Sequence, residues 1–133
     1  MSFKIDTKEK FTVITPLFGT LDANIAEALW EAATEGIGLE RGNTIVNMQQ
    51  ISTADRDGVN NLASLQQHFH SAKKSFVLCA VQPEVMTVIK SEDLEDGLNI
   101  TPTLSEAYDI VQMEEMEREL MDDFDDKEDE LNP

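Results

Sequence analysis

Cysteine is almost missing from this chain: Cys79 stands alone, so no internal disulfide is possible. Its place in the apolar run "SFVLCAV" suits core filling in a reducing compartment. Long hydrophobic runs are missing too. None approaches the length that crosses a bilayer, and the amino terminus "MSFKIDTKEK" lacks the apolar centre of a secretory signal. A soluble, cytoplasmic protein is the expectation. Positive charge is scarce, with 10 Lys and Arg against 27 Asp and Glu and a net charge of −17. That balance excludes nucleic acid and anionic membrane as direct partners, because binding either begins by neutralising phosphate. The two histidines, His68 and His70, lie two apart on a predicted helix. They point to different faces, cannot clamp one metal as an i, i+4 pair would, and read as surface residues. There is no glycine-rich phosphate loop, nucleophile elbow or zinc cluster. No cofactor or metal is expected, and catalysis by this chain is not expected.

What is present is an alternation of short apolar strands and amphipathic helices. Phe3 and Ile5 alternate with polar neighbours, a Lys/Glu-rich turn follows, and "FTVIT" resumes a β-branched pattern until Pro16. The pair predicts an antiparallel hairpin. Residues 22 to 36 then place Ile25, Leu29, Ala32 and Ala33 on one helical stripe, ended by the glycines at 36, 38 and 42. Trp30 lies beside that stripe and reads as a core residue packed at its rim. "NTIVNM" is a central strand, and Val59, Leu62, Leu65, Phe69 and Ala72 recur at helical spacing. "SFVLCAV" is the next strand, and "PEVMTVIK" a helix opened by Pro83. After a turn-rich stretch, "NITPTLSEAYDIV" gives a short extended piece and a helix with Leu104, Ala107, Ile110 and Val111 inward. The fold class is α/β, a small mixed sheet of an N-terminal hairpin plus parallel strands, with helices packed on it.

Residues 1–112 form that domain, and 113–133 an acidic C-terminal extension, part helical or disordered. Residues 114–133 carry eleven acids against Arg118 and Lys127, a net −9, which leaves −8 on residues 1–113. "DDFDDKEDE" lacks the turn glycine and closing glutamate of an EF-hand. Met113, Met116, Leu120 and Phe124 keep a rough three-to-four spacing among the acids. The segment is therefore either a solvated acidic end or an amphipathic helix that docks on a partner or a second subunit.

The stretch "STADRDGVNNL" holds the most chemistry. It joins a central strand to a helix at the carboxyl edge of the sheet, where α/β folds place their binding surfaces. Free backbone N–H groups and the positive end of the helix dipole converge there. Read plainly, Asp57 is the N-cap of a helix beginning at Gly58. "FGTLDANIAEAL" is a second strand-to-helix junction, with Thr20 or Asp22 as cap. Asp22, Asp55 and Asp57 would then crowd one edge, their repulsion offset by Arg56, a metal or the cations of a partner.

Three segments in this order resemble the STAS domain, the fold of bacterial anti-sigma-factor antagonists. "GTLDANIAEALWEA" is similar to the family's Gly-x-Leu-Asp segment before its first helix. "IVNMQQISTADRDGVNNL" is similar to its strand and Asp-Ser-Ser-Gly-Leu loop, with Asp55, Gly58, Val59 and Leu62 in register. "VLCAVQPEVMTVIKSEDLEDGLNITPTLSEA" is similar to its strand, its Pro-Glu-Val helix and the closing "PTLSEA" before the last helix. The resemblance implies a non-catalytic signalling module that regulates transcription by binding a protein. Its partner would be an anti-sigma factor that is also a serine kinase, or another STAS protein. In that family the second serine of the loop takes a phosphate that blocks the complex. Here the two serine positions hold Arg56 and Asp57, so Asp57 would supply fixed negative charge and Asp55 would orient the loop. Ser52 and Thr53, just upstream, are the alternative acceptors. A different class, an aspartyl-phosphate receiver, needs an aspartate at the end of the central strand, where this chain has Asn47.

Overall fold

The structure, a computed structural model, describes residues 3–35 and 42–131. A hairpin of β1 (Phe3–Thr7) and β2 (Phe11–Pro16) leads through β3 (Thr20–Leu21) to α1 (Ala23–Thr34). β4 (Asn43–Asn47) is followed by β5 (Thr53–Ala54), α2 (Arg56–Ser71), β6 (Phe76–Cys79) and α3 (Pro83–Ser91). A single 3-10 turn at Glu95–Gly97, β7 (Ile100–Thr101) and α4 (Leu104–Leu131) complete the order. The main sheet runs β1-β2-β4-β6-β7, antiparallel in the hairpin and parallel elsewhere. That is the mixed α/β sheet the sequence predicts.

Why Val13 and Ile14, Ile45 and Val46, and all of β6 are consecutive apolar residues follows from the layers. Successive strand residues point to opposite faces. Ile14, Val46, Phe76 and Leu78 share one core with Ile25 and Leu29 of α1, Val59, Leu62, Leu65 and Phe69 of α2, and Val85 and Ile89 of α3. Val13, Ile45, Val77 and Cys79 face the other way, against Ala107 and Val111 of α4. A strand buried on both faces carries consecutive rather than alternating apolar residues, and polar residues such as Asn43 are buried only with their hydrogen bonds made. Cys79 is fully buried, and burial pushes its thiol pKa up, which favours the unreactive protonated form.

Some expectations need adjustment. Leu104, expected inward, is exposed, because it occupies the first turn of α4 before the helix reaches the sheet. Ala72 is the C-cap of α2 and exposed rather than part of its buried face. Trp30 packs at the edge of the larger core, its ring 5.3 Å from that of the exposed His68. The glycines at 36 and 38 and the side chain of Phe124 lie outside the described residues. α4 crosses position 113 without a break.

Candidate functional site

Two strand-to-helix junctions run side by side. β3 and β5 form a parallel pair apart from the main sheet, Thr20 opposite Thr53 and Leu21 opposite Ala54. The N–H groups of Ser52 and Thr53 donate to the Gly19 carbonyl at 2.8 and 3.1 Å, and that of Asp55 donates to the Leu21 carbonyl at 3.0 Å. The Ser52 hydroxyl donates to the same Gly19 carbonyl at 3.1 Å, and the Thr20 and Thr53 hydroxyls share a hydrogen bond of 3.0 Å. Each strand hands over to its helix through an aspartate in extended conformation. Asp22 accepts from the Ile25 N–H at 2.9 Å, and Asp55 accepts from the Gly58 N–H at 2.8 Å. Asp22 and Asp55 are thus the two N-caps, each satisfying a backbone donor that the helix leaves free.

This corrects the expected cap at Asp57. α2 begins at Arg56, two residues earlier than a cap at Asp57 would set it, and Asp57 sits in the first turn with its side chain exposed. Among the described residues its carboxylate has no hydrogen-bond or ion-pair partner. Its carbonyl accepts from Asn61 Nδ2 at 3.1 Å. The two aspartates therefore do different work, one satisfying backbone N–H and one standing in solvent near the positive end of the dipole. Substituting Asp55 by alanine is expected to cost about 1 kcal/mol, and substituting Asp57 by alanine a few tenths. Thermal unfolding of the two variants side by side checks this; the larger loss at Asp57 would return the cap to it.

Arg56, one of the three candidates to offset the aspartates, makes its ion pair with Glu92. Its Nε donates to Glu92 Oε1 at 3.1 Å, and the same oxygen accepts from Asn60 Nδ2 at 2.9 Å. Glu92 closes the C-terminus of α3, so this cluster ties the start of α2 to the end of α3. Neither Glu92 nor Asn60 carries a sequence signal that marks it out, since each belongs to an ordinary polar stretch. Gly58 and Val59 are buried beneath the loop. A Cβ on Gly58 would stand 2.9 Å from Leu21 Cγ and closer still to the Leu21 carbonyl oxygen. Only glycine lets the first turn of α2 approach β3 this closely. Among the described residues no group of three His, Cys, Asp or Glu side chains is arranged to hold a metal ion. No helix among them is long and apolar enough to cross a membrane.

The family model of the STAS domain matches residues 2–107. The chain belongs to the STAS domain family. The STAS fold seen here is similar to an anti-sigma factor antagonist from Mycobacterium paratuberculosis, with 18% identity, a TM-score of 0.71, and coverage of 84% of this chain and 93% of that one. It is similar to the anti-sigma factor antagonist SpoIIAA in its unphosphorylated form, with 23% identity, a TM-score of 0.66 and coverage of 84% and 96%. The phosphorylated form of SpoIIAA, described as a Bacillus cell fate determinant, gives 22%, 0.60, 83% and 99%. A murine Solute Carrier 26 family anion transporter also shares the fold, at 18% identity and a TM-score of 0.65, over 78% of this chain and 18% of the transporter. At these identities the likeness is one of fold. No curated protein sequence matches the chain.

Proposed function

We propose that this STAS domain is a non-catalytic docking module whose contact surface is the β3–β5 edge with the first turn of α2, and that Asp57 fixes there the negative charge that relatives add and remove as phosphate. The observation that carries this reading is the exposed Asp57 carboxylate on the first turn of α2, without a partner among the described residues, at a loop with no hydroxyl at 56 or 57. SpoIIAA, of the same fold, exists in unphosphorylated and phosphorylated forms. One carboxylate brings about one negative charge where a phosphate brings about two and three acceptor oxygens, so the imitation is partial. The partner is a protein of the anti-sigma factor and serine kinase type, or another STAS protein.

Ser52 and Thr53 serve this reading as structural groups. Both hydroxyls are engaged across the β3–β5 pair, ahead of the N-cap. A phosphate on either would pull the pair apart rather than rest on the helix dipole. Asn47, at the end of β4, accepts from the Gln49 N–H at 3.1 Å, which leaves the receiver reading without its aspartate.

The test pairs the parent chain with Asp57→Ser. Both are incubated with ATP and purified anti-sigma-type serine kinases from the source genome, then read by intact mass and by binding to those kinases. Phosphate is expected on the variant alone, at the serine introduced by the substitution, accompanied by loss of its kinase complex, while the parent is inert and its binding indifferent to ATP. Phosphate on the parent at Ser52 or Thr53 would overturn the fixed charge. A base-labile adduct formed from a small phosphoryl donor and magnesium would establish the receiver chemistry instead.

A further inference from the structure

We propose that the outer face of α4 is a docking surface for a basic amphipathic helix of a partner protein, separate from the α2 loop. α4 is 28 residues long, on the order of 42 Å, and only its first half is needed to cover the sheet. It is nevertheless held well beyond Val111. The Arg118 guanidinium donates to Ser75 Oγ at 3.1 Å and to Asn43 Oδ1 at 3.2 Å, and Glu115 accepts from Asn43 Nδ2 at 2.8 Å. The helix is therefore fixed against the body as far as residue 118.

On the far side of this fixed stretch lies an apolar stripe. At about 100° per residue, Met113, Met116 and Leu120 fall within an arc of about 60°, roughly opposite Ala107, Val111 and Arg118. Their exposures are 54%, 62% and 64%, and the neighbouring Met121 reaches 66%. Single exposed apolar residues are ordinary on a protein surface, whereas anchors at i, i+3 and i+7 on one helix face are the pattern of helix-to-helix docking. Methionine suits such a face because its side chain repacks easily.

Charge decides the occupant. Residues 114–133 carry a net −9, and Glu117 and Glu119 are exposed beside the stripe. The one arginine of that region turns inward to Asn43 and Ser75. A second copy of the chain would bring two such segments together in either orientation, which like-charge repulsion opposes. A helix with apolar residues on one face and Lys or Arg flanking them complements both features.

The probe is a fluorescent synthetic amphipathic helix of Leu and Lys, compared with an isomer of the same composition whose leucines are scattered. Titrated with the full chain at physiological ionic strength, the amphipathic peptide is expected to bind at least ~tenfold tighter than its isomer. The double variant Met116→Gln, Leu120→Gln should erase that preference while keeping the parent's melting temperature, because both side chains are exposed. Equal binding of the two peptides, or a preference that survives the double variant, would reduce the effect to bulk charge and overturn the proposal. So would sedimentation showing a dimer of the parent that the double variant converts to monomer, since a second copy would then occupy the stripe. Should the double variant fold poorly, Met113→Gln alone is expected to weaken the amphipathic peptide by a smaller factor, and an unchanged preference would again overturn the proposal.

Discussion

Replacing Gly58 by alanine is expected to lower the melting temperature by on the order of 8 °C, a net loss of about 2 kcal/mol. Alanine is the better helix former by about 1 kcal/mol, so the substitution starts with an advantage. The advantage is overcome because the new methyl group meets the Leu21 carbonyl oxygen and, at 2.9 Å, Leu21 Cγ. That carbonyl cannot easily withdraw, since it accepts from the Asp55 N–H at 3.0 Å and Leu21 is fully buried. Either β3 separates from β5 or the first turn of α2 tilts away. Both responses displace Asp57, so partner binding should weaken as well. Gly97→Ala is the control, as nothing lies within 4 Å of a Cβ there. Thermal unfolding by circular dichroism compares the two. If Gly58→Ala is as well tolerated as Gly97→Ala, the close approach of α2 to β3 is not what the structure depicts.

Asn43→Ala is expected to cost about 3 kcal/mol and to loosen the middle of α4. Asn43 is 1% exposed and uses all of its side chain: Nδ2 donates to the Lys10 carbonyl at 3.1 Å and to Glu115, while Oδ1 accepts from the Ser75 N–H at 2.8 Å and from Arg118. Truncation removes the acceptor of the Ser75 N–H, on a residue 2% exposed, and a buried donor left without its partner is costly. It also removes one of the two acceptors of Arg118 among the described residues, leaving Ser75 Oγ. Hydrogen exchange separates the two consequences: amides of residues 113–121 should exchange faster relative to those of α2 in the variant. A uniform acceleration across the chain would mean that Asn43 stabilises the fold without holding α4. Arg118→Ala should give the smaller thermal loss, because Asn43 keeps its partners at Lys10 and Ser75.

Much of this architecture was legible because it depends on periodicity. The apolar alternation of Val13 with Ile14 and Ile45 with Val46, and the helical recurrence of Val59, Leu62, Leu65 and Phe69, report burial directly. β3 and β5 were not legible as strands, since two residues contain no repeat; only their pairing across Thr20 and Thr53 defines them. The cap of α2 was ambiguous for a related reason. Asp55 and Asp57 both precede plausible helical residues, and the choice between them rests on which carboxylate reaches the Gly58 N–H. Arg118 resembled an ordinary member of a solvated acidic helix, and its bonds to Asn43 and Ser75 span 75 and 43 positions of sequence. Distances of that kind leave no local trace.

Among the described residues α4 is the helix that packs on the second face of the sheet, so Cys79 is shielded on that face by α4. Departure of α4 would bare Val13, Ile45, Val77 and the thiol while the larger core of α1, α2 and α3 stayed closed. The lone thiol of this protein is thereby a native chemical timer. The rate at which it meets a thiol reagent counts the openings of a single helix, the same helix whose outer side carries the methionine stripe.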